Sequence, residues 1–166
     1  IAEKLGGNGN IVMIQGLNGQ AAQIQREEGA KEILRQFPAI KMIAQQSAEW
    51  DRSKSMDLMQ NWIQSYGTKI NAVFAHNDEM GLGAIKALQD AGMKDKVVVV
   101  SIDAIADALQ AVKKGDLDAT VFQDARKQGA GAVETAVKIA QGQKVEKEIM
   151  IPFKLLTKGD VDSYLK

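Results

Sequence analysis

Short apolar runs alternate along this chain with longer amphipathic ones. The apolar runs are Asn10 to Gln15 (NIVMIQ), Ile40 to Gln45 (IKMIAQ), Asn71 to Ala75 (NAVFA), Val97 to Ile102 (VVVVSI) and Asp118 to Phe122 (DATVF). In IVMI and VVVV every residue is apolar, the signature of strands covered on both faces, as in a parallel sheet. Helical patterns lie between them, over 18–36, 51–66, 79–91 and 104–114. In the third, Gly83, Ala84, Ala87 and Ala91 form a small-residue face suited to close packing on a sheet. A β-α-β-α series with short connections predicts an α/β fold with a doubly wound, mostly parallel sheet and right-handed crossovers.

The two ends depart from this rhythm. Ile1 to Leu5 followed by Gly6-Gly7-Asn8-Gly9 reads as the last turn of a helix and its glycine stop, so chain upstream of Ile1 is expected and residues 1–166 read as a fragment. Near the other end, 126–141 is predicted helical and 148–156 (EIMIPFKLL) extended. Pro152 lacks a ladder donor, which assigns that stretch to a crossover or sheet edge. Residues 158–166 are expected to form a terminal helix.

Composition narrows the function. A length of 166 residues, 45% of them hydrophobic, suits one domain with a real core. The 21 basic residues balance the 21 acidic ones, which disfavours nucleic acid as a partner. The absence of Cys removes disulfides, thiolate metal sites and a Cys nucleophile, and a single His removes a His-based zinc site. No apolar run reaches the ~18 residues needed to span a membrane as a helix.

In an open α/β sheet, ligands bind beyond the carboxyl ends of the strands, where strand order reverses. The residues following each predicted strand are Gly16 to Gln20, Trp50, His76-Asn77-Asp78, Asp103 and Gln123. They supply amide and carboxylate acceptors, amide donors and one large flat ring. They contain no nucleophile beside a base, so no catalytic residue and no cofactor is assigned. Gly16-Leu17-Asn18-Gly19 occupies a phosphate loop's place but lacks the Lys and Ser/Thr of that motif, and the third Gly of a dinucleotide fingerprint. Asp78 is expected to cap the helix that follows, with Glu79 favouring its positive end, which would leave the Asn77 amide to face a ligand. Trp50 precedes Asp51, itself a plausible cap; the ring either packs under the next loop or offers a stacking platform. Asp103 is either a helix cap or an acceptor for ligand hydroxyls. Arg26, beside Glu27 and Glu28, is expected to form a solvated or structural ion pair.

At these residues the sequence resembles the C-terminal half of periplasmic sugar-binding proteins of the ribose-binding type, the substrate receptors of ABC importers. The matching stretches are IVMIQGLNGQAAQIQREEGAKEIL, AEWDRSKSMDLMQNWI, INAVFAHNDEMGLGAIKALQDAG, VVVVSIDAIADALQAVKKGDLDATVFQD and IPFKLLTKGDVDSYL, together nearly the whole chain. The resemblance implies one lobe of a two-lobed type I binding protein, with flavodoxin-like strand order and the ligand trapped between lobes. It implies that Trp50 stacks on a sugar ring while Asn77, Asp103 and Gln123 bind hydroxyls. Family members also carry an aromatic directly before the Asp and an Arg two residues before Arg26; this chain has Ile102 and Ile24 there. The expected ligand is a monosaccharide or small polyol and the expected partner a membrane permease. The expected location is the periplasm, or a lipid-anchored extracellular position in a bacterium without an outer membrane. Residues 124–152 are expected to pack on the missing N-terminal lobe. The alternative is the effector-binding core of a LacI-type transcription regulator, which shares the fold.

Overall fold

The structure, a computed structural model, describes residues 1–165. Their strands are β1 (Gly9–Gln15), β2 (Ile40–Ser47), β3 (Ala72–Ala75), β4 (Val98–Asp103), β5 (Ala119–Phe122) and β6 (Lys154–Leu156). Together they form one sheet of order β2-β1-β3-β4-β5-β6, parallel except for the antiparallel β5–β6 pair. This is the doubly wound order expected, and its switch point lies between β1 and β3. The helices are α1 (Ala21–Leu34), α2 (Arg52–Tyr66), α3 (Asp78–Asp90), α4 (Ala106–Lys114) and α5 (Ala125–Ala140).

The continuous apolar runs occupy the sheet centre because both their faces are covered. Ile11, Val12, Met13 and Ile14 of β1 are all at most 2% exposed. On one face, Val12, Ile14, Val73 and Val99 meet Leu58, Met59 and Trp62 of α2, Met80, Ala84 and Leu88 of α3, and Leu109 and Val112 of α4. Gly83 sets the approach of α3 to α2: a Cβ there would drive into the Arg52 carbonyl oxygen, so only glycine permits this contact. Ser55 Oγ reinforces it by donating to the Met80 carbonyl at 2.6 Å.

The other face is covered unevenly. Ile11, Ile40 and Ala72 pack with Leu5, Leu34 and Phe37, whereas Phe74, Val100, Ile102 and Val121 line an apolar groove of about 340 Å³ beside Ile1 and Ile33. Ile1 to Gly7 form a helical turn ended by Gly6 and Gly7 at positive φ, as their sequence suggests.

The C-terminal third differs more from expectation. The extended run contracts to the three residues of β6, a sheet-edge strand beyond Pro152. Instead of a terminal helix there is a single 3₁₀ turn, Val161–Ser163; Lys166 lies outside the described residues. No residue of α5 is buried, and its Val133, Val137 and Ile139 face solvent.

Candidate functional site

The carboxyl ends of β1 to β5 form a rim, and at its centre Arg26 makes a structural ion pair, as expected of it, but with the distant Asp103. Arg26 lies in the second turn of α1, three residues after Gln23, the one buried residue of that helix. Neighbours i and i+1 on a helix do not face each other. Arg26 accordingly does not pair with Glu27 or Glu28. Its Nη1 donates to the His76 carbonyl oxygen, its Nη2 lies 3.5 Å from Asp103 Oδ1, and its guanidinium carbon sits 5.6 Å from the Trp50 ring centroid. Glu27 instead accepts from Gln15, Gln23 and Lys31, and the Lys31 bond holds its carboxyl below the usual range. Ile24 is exposed, so Arg26, not a residue two positions earlier, supplies a guanidinium to this rim.

Trp50 follows β2 on a turn in which Glu49 and Trp50 both adopt left-handed φ, 55° and 68°. That backbone lays the indole over Gly16, where a Cβ would fall well inside 3.0 Å of the ring. Gln20 Oε1 accepts from Trp50 Nε1 at 2.7 Å, Asn77 Nδ2 donates to the Trp50 carbonyl at 3.4 Å, and Asp51 caps α2 by accepting from Lys54 N–H. The ring is thus held by Gln20 and Gly16, its backbone by Asn77, and it remains partly exposed.

His76 is wholly buried behind the ring, 6.4 Å from Trp50 and 5.4 Å from Phe74. Its Nδ1 accepts from Gly16 N–H at 3.4 Å, which assigns the proton to Nε2, and among the described residues Nε2 has no partner. Burial, aided by the Arg26 charge, pushes its pKa down to about 4, so the imidazole is neutral at pH 7.

The capping assignment reverses. Asn77, not Asp78, caps α3: its Oδ1 accepts from Met80 N–H at 3.0 Å, and the residue is 8% exposed. Asp78 turns into the interior instead. Asp103 is not a helix cap either, since the N-cap of α4 is Ile105. The Asp103 carboxylate is part-buried, and Oδ1 accepts from Gln123 Nε2 at 3.0 Å as well as facing Arg26. Among the described residues Oδ2 has no hydrogen-bond partner. Burial raises the Asp103 pKa against the opposing pull of Arg26.

Of the four residues singled out by sequence, the structure links Asp103 directly to Gln123, and Trp50 to Asp103 through Arg26. Asn77 adjoins them, yet both ends of its amide already serve the protein. Among the described residues no cluster of three or more acidic, His or Cys side chains is placed to hold a metal ion.

This rim sits in a recognisable setting. A family model for the periplasmic binding protein domain matches residues 1–144. The chain belongs to that family. A putative rhizopine-binding protein of Rhizobium meliloti is 44% identical over 168 residues, covering 99% of this chain and 54% of its own. A xylitol-binding protein of Mycolicibacterium smegmatis is 39% identical, covering 98% of this chain and 46% of its own. An ABC-transporter solute-binding protein from Bacillus halodurans, solved with bound myo-inositol, superposes with a TM-score of 0.94 at 48% identity, over 99% of this chain and 56% of the other. The chain therefore spans about half the length of the periplasmic binding proteins it matches.

Proposed function

We propose that this chain is one lobe of the solute-binding receptor of an ABC importer and presents half of a site for a monosaccharide or polyol. The observation that carries the reading is the convergence of a partly exposed indole, a guanidinium, a carboxylate with a free oxygen and an amide on one rim. Each has a matching part of such a ligand. The Trp50 ring suits the C–H face of a sugar or cyclitol, Asp103 Oδ2 accepts a hydroxyl proton, and Arg26 and Gln123 donate to hydroxyl oxygens. Asn77 contributes its remaining amide hydrogen from the back of the rim. Ile102 lines the apolar groove under the sheet instead of the rim, so this lobe supplies one stacking surface only. The names of relatives and structural neighbours, which concern rhizopine, xylitol and myo-inositol, support a polyhydroxylated solute and a binding protein in preference to an enzyme. They lend nothing to the transcription-regulator alternative.

In this reading the second half of the site comes from another lobe, and closure of the two around the ligand creates the form a permease accepts. The exposed apolar face of α5 and the 141–153 segment support packing of 124–152 on that lobe. The family setting supports a periplasmic or anchored extracellular location. Calorimetric titration of the intact protein with myo-inositol, xylitol, D-ribose and D-allose tests the reading. We expect micromolar binding of at least one of them, weakened about tenfold or more by W50A and by D103N. Failure of all four to bind, or full affinity in both variants, would refute it.

A further inference from the structure

The turn that presents Asp103 has an unusual backbone. Asp103 has φ 131° and Ala104 φ 60°, both in the region that favours glycine, and neither is glycine. Such conformations persist only where surrounding structure over-determines them. The determinant here is Asp78, wholly buried at the start of α3 and not used as its cap. Its Oδ2 accepts from Ile105 N–H at 2.9 Å, directly after the turn. Its Oδ1 accepts from Ser101 Oγ and, at 2.7 Å, from Thr120 Oγ1. Thr120 Oγ1 in turn accepts from Ala104 N–H at 3.2 Å.

The proton count gives this network a direction. A hydroxyl has one proton to donate, and Thr120 gives its own to Asp78, so its lone pairs are left for Ala104 N–H. The Asp78 carboxyl oxygens take both hydroxyls as donors, and Oδ2 takes the Ile105 amide. Three elements, β4, β5 and α3, thus hold one strained turn through one carboxylate that the ligand cannot reach.

We propose that Asp78 is a positioning residue for ligand binding, which pins the Asp103–Ala104 turn through Ile105 N–H and Thr120 so that the Asp103 carboxylate stays between Arg26 and Gln123. This rests on the reading of the rim as a sugar or polyol site. Ser101 and Thr120 provide the discriminating pair. Each hydroxyl donates to the same Asp78 oxygen from a fully buried position, but only Thr120 reaches the turn.

In the intact protein, S101A and T120V are both expected to lower the melting temperature. T120V is expected to weaken binding of myo-inositol or D-ribose about fivefold or more, the scale of one net hydrogen bond, and S101A less than about twofold. In the ligand-free protein, hydrogen exchange of the Ala104 amide is expected to accelerate in T120V and not in S101A. D78N, which keeps an acceptor for Ile105 N–H and loses one for the hydroxyls, is expected to follow T120V. Equal affinity losses in S101A and T120V, or none in either, would leave Asp78 a merely structural residue and overturn the proposal. If the wild-type protein binds no probe, the sugar-site reading fails by itself. The exchange experiment still decides the pinning: an unchanged Ala104 amide in T120V overturns it.

Discussion

Gly16→Ala is the smallest change that should disable the stacking surface while leaving every polar group of the rim in place. The added methyl would fall well inside 3.0 Å of three indole carbons. Carbon atoms pack at about 3.5–4.0 Å, so the ring must retreat by on the order of 1.5 Å or swing out. Because Trp50 is partly exposed, it can swing, and the fold loses less than the roughly 1–3 kcal/mol typical of overpacking a closed core. Moving the ring breaks its bond to Gln20 and removes the aromatic face beside Arg26. An aromatic contact is worth about 0.5–1.5 kcal/mol beyond its buried area, so affinity for the proposed sugar or polyol should fall by about two- to tenfold or more. Fluorescence isolates the event in residues 1–166: with Trp62, the other tryptophan of this chain, replaced by Phe, emission reports Trp50 alone. G16A in that background should shift emission to the red and increase acrylamide quenching, and G16A in the intact protein should show the calorimetric loss of affinity. Unchanged quenching together with unchanged affinity would show that the indole does not rest on Gly16, and the geometry proposed for the site would fall.

Three further expectations follow from the same geometry. His76 is held neutral with a pKa of about 4 against about 6.5 when unfolded, so between those values the unfolded chain binds the extra proton and stability falls as pH falls. At about 1.4 kcal/mol per pH unit the loss approaches roughly 3 kcal/mol, and H76Q, which keeps an acceptor for Gly16 N–H, should flatten urea-melt stability between pH 7 and pH 4.5. Asp103, raised by burial, pulls the opposite way but is common to both proteins and cancels in the difference; parallel pH curves would contradict the burial of a neutral His76. Residues 1–166 alone should bind the ligand only near the millimolar range, since half of the roughly −8 kcal/mol of a micromolar complex corresponds to millimolar, and micromolar calorimetry on this chain would refute the two-lobe reading. The same chain should bind an apolar dye and associate with rising concentration through Val133 and Val137 of α5, which are 66% and 49% exposed. Replacing both with Lys should suppress this at a cost of under about 0.5 kcal/mol, as for most surface changes, and undiminished dye binding would move the sticky surface elsewhere.

The sheet was legible because its strands are buried on both faces, which leaves unbroken apolar runs that no amphipathic helix would show. Strand-end positions then followed from topology alone. What stayed hidden depends on partners distant in sequence. Asn77 and Asp78 are equally good caps by type; the choice is made by Ser101, Ile105 and Thr120, which give Asp78 a better use in the interior. Arg26 was obscured by its acidic neighbours, although its spacing of three from Gln23 places it on the buried side of α1, and that spacing was the available signal. α1 itself has almost no apolar face to mark its ends, and it spans Ala21–Leu34 within the predicted 18–36. The predicted terminal helix shrinks to one 3₁₀ turn, although Val161, Tyr164 and Leu165 still pack on the core as a helical stripe would.

The two lips of the rim share a structural device that explains why single residues there matter more than their contacts suggest. Trp50 and Asp103 both sit on turns with consecutive positive-φ, non-glycine residues, Glu49–Trp50 and Asp103–Ala104. Each such residue costs about 1–3 kcal/mol, which relaxation to an ordinary turn would recover. The ordinary turn is prevented in both places by bonds to the backbone itself: Asn77 Nδ2 to the Trp50 carbonyl, and Thr120 and Asp78 to the Ala104 and Ile105 amides. Each set includes a bond from one of two adjacent residues, Asn77 and Asp78, where β3 gives way to α3, and Thr120 of β5 completes the second set. One side of that junction helps hold the ring and the other the carboxylate turn, so in the proposed site this strand-to-helix corner contributes to the spacing between stacking surface and hydroxyl acceptor. A ligand meeting this rim encounters two groups already fixed relative to each other, which reduces the entropy lost in ordering them on binding.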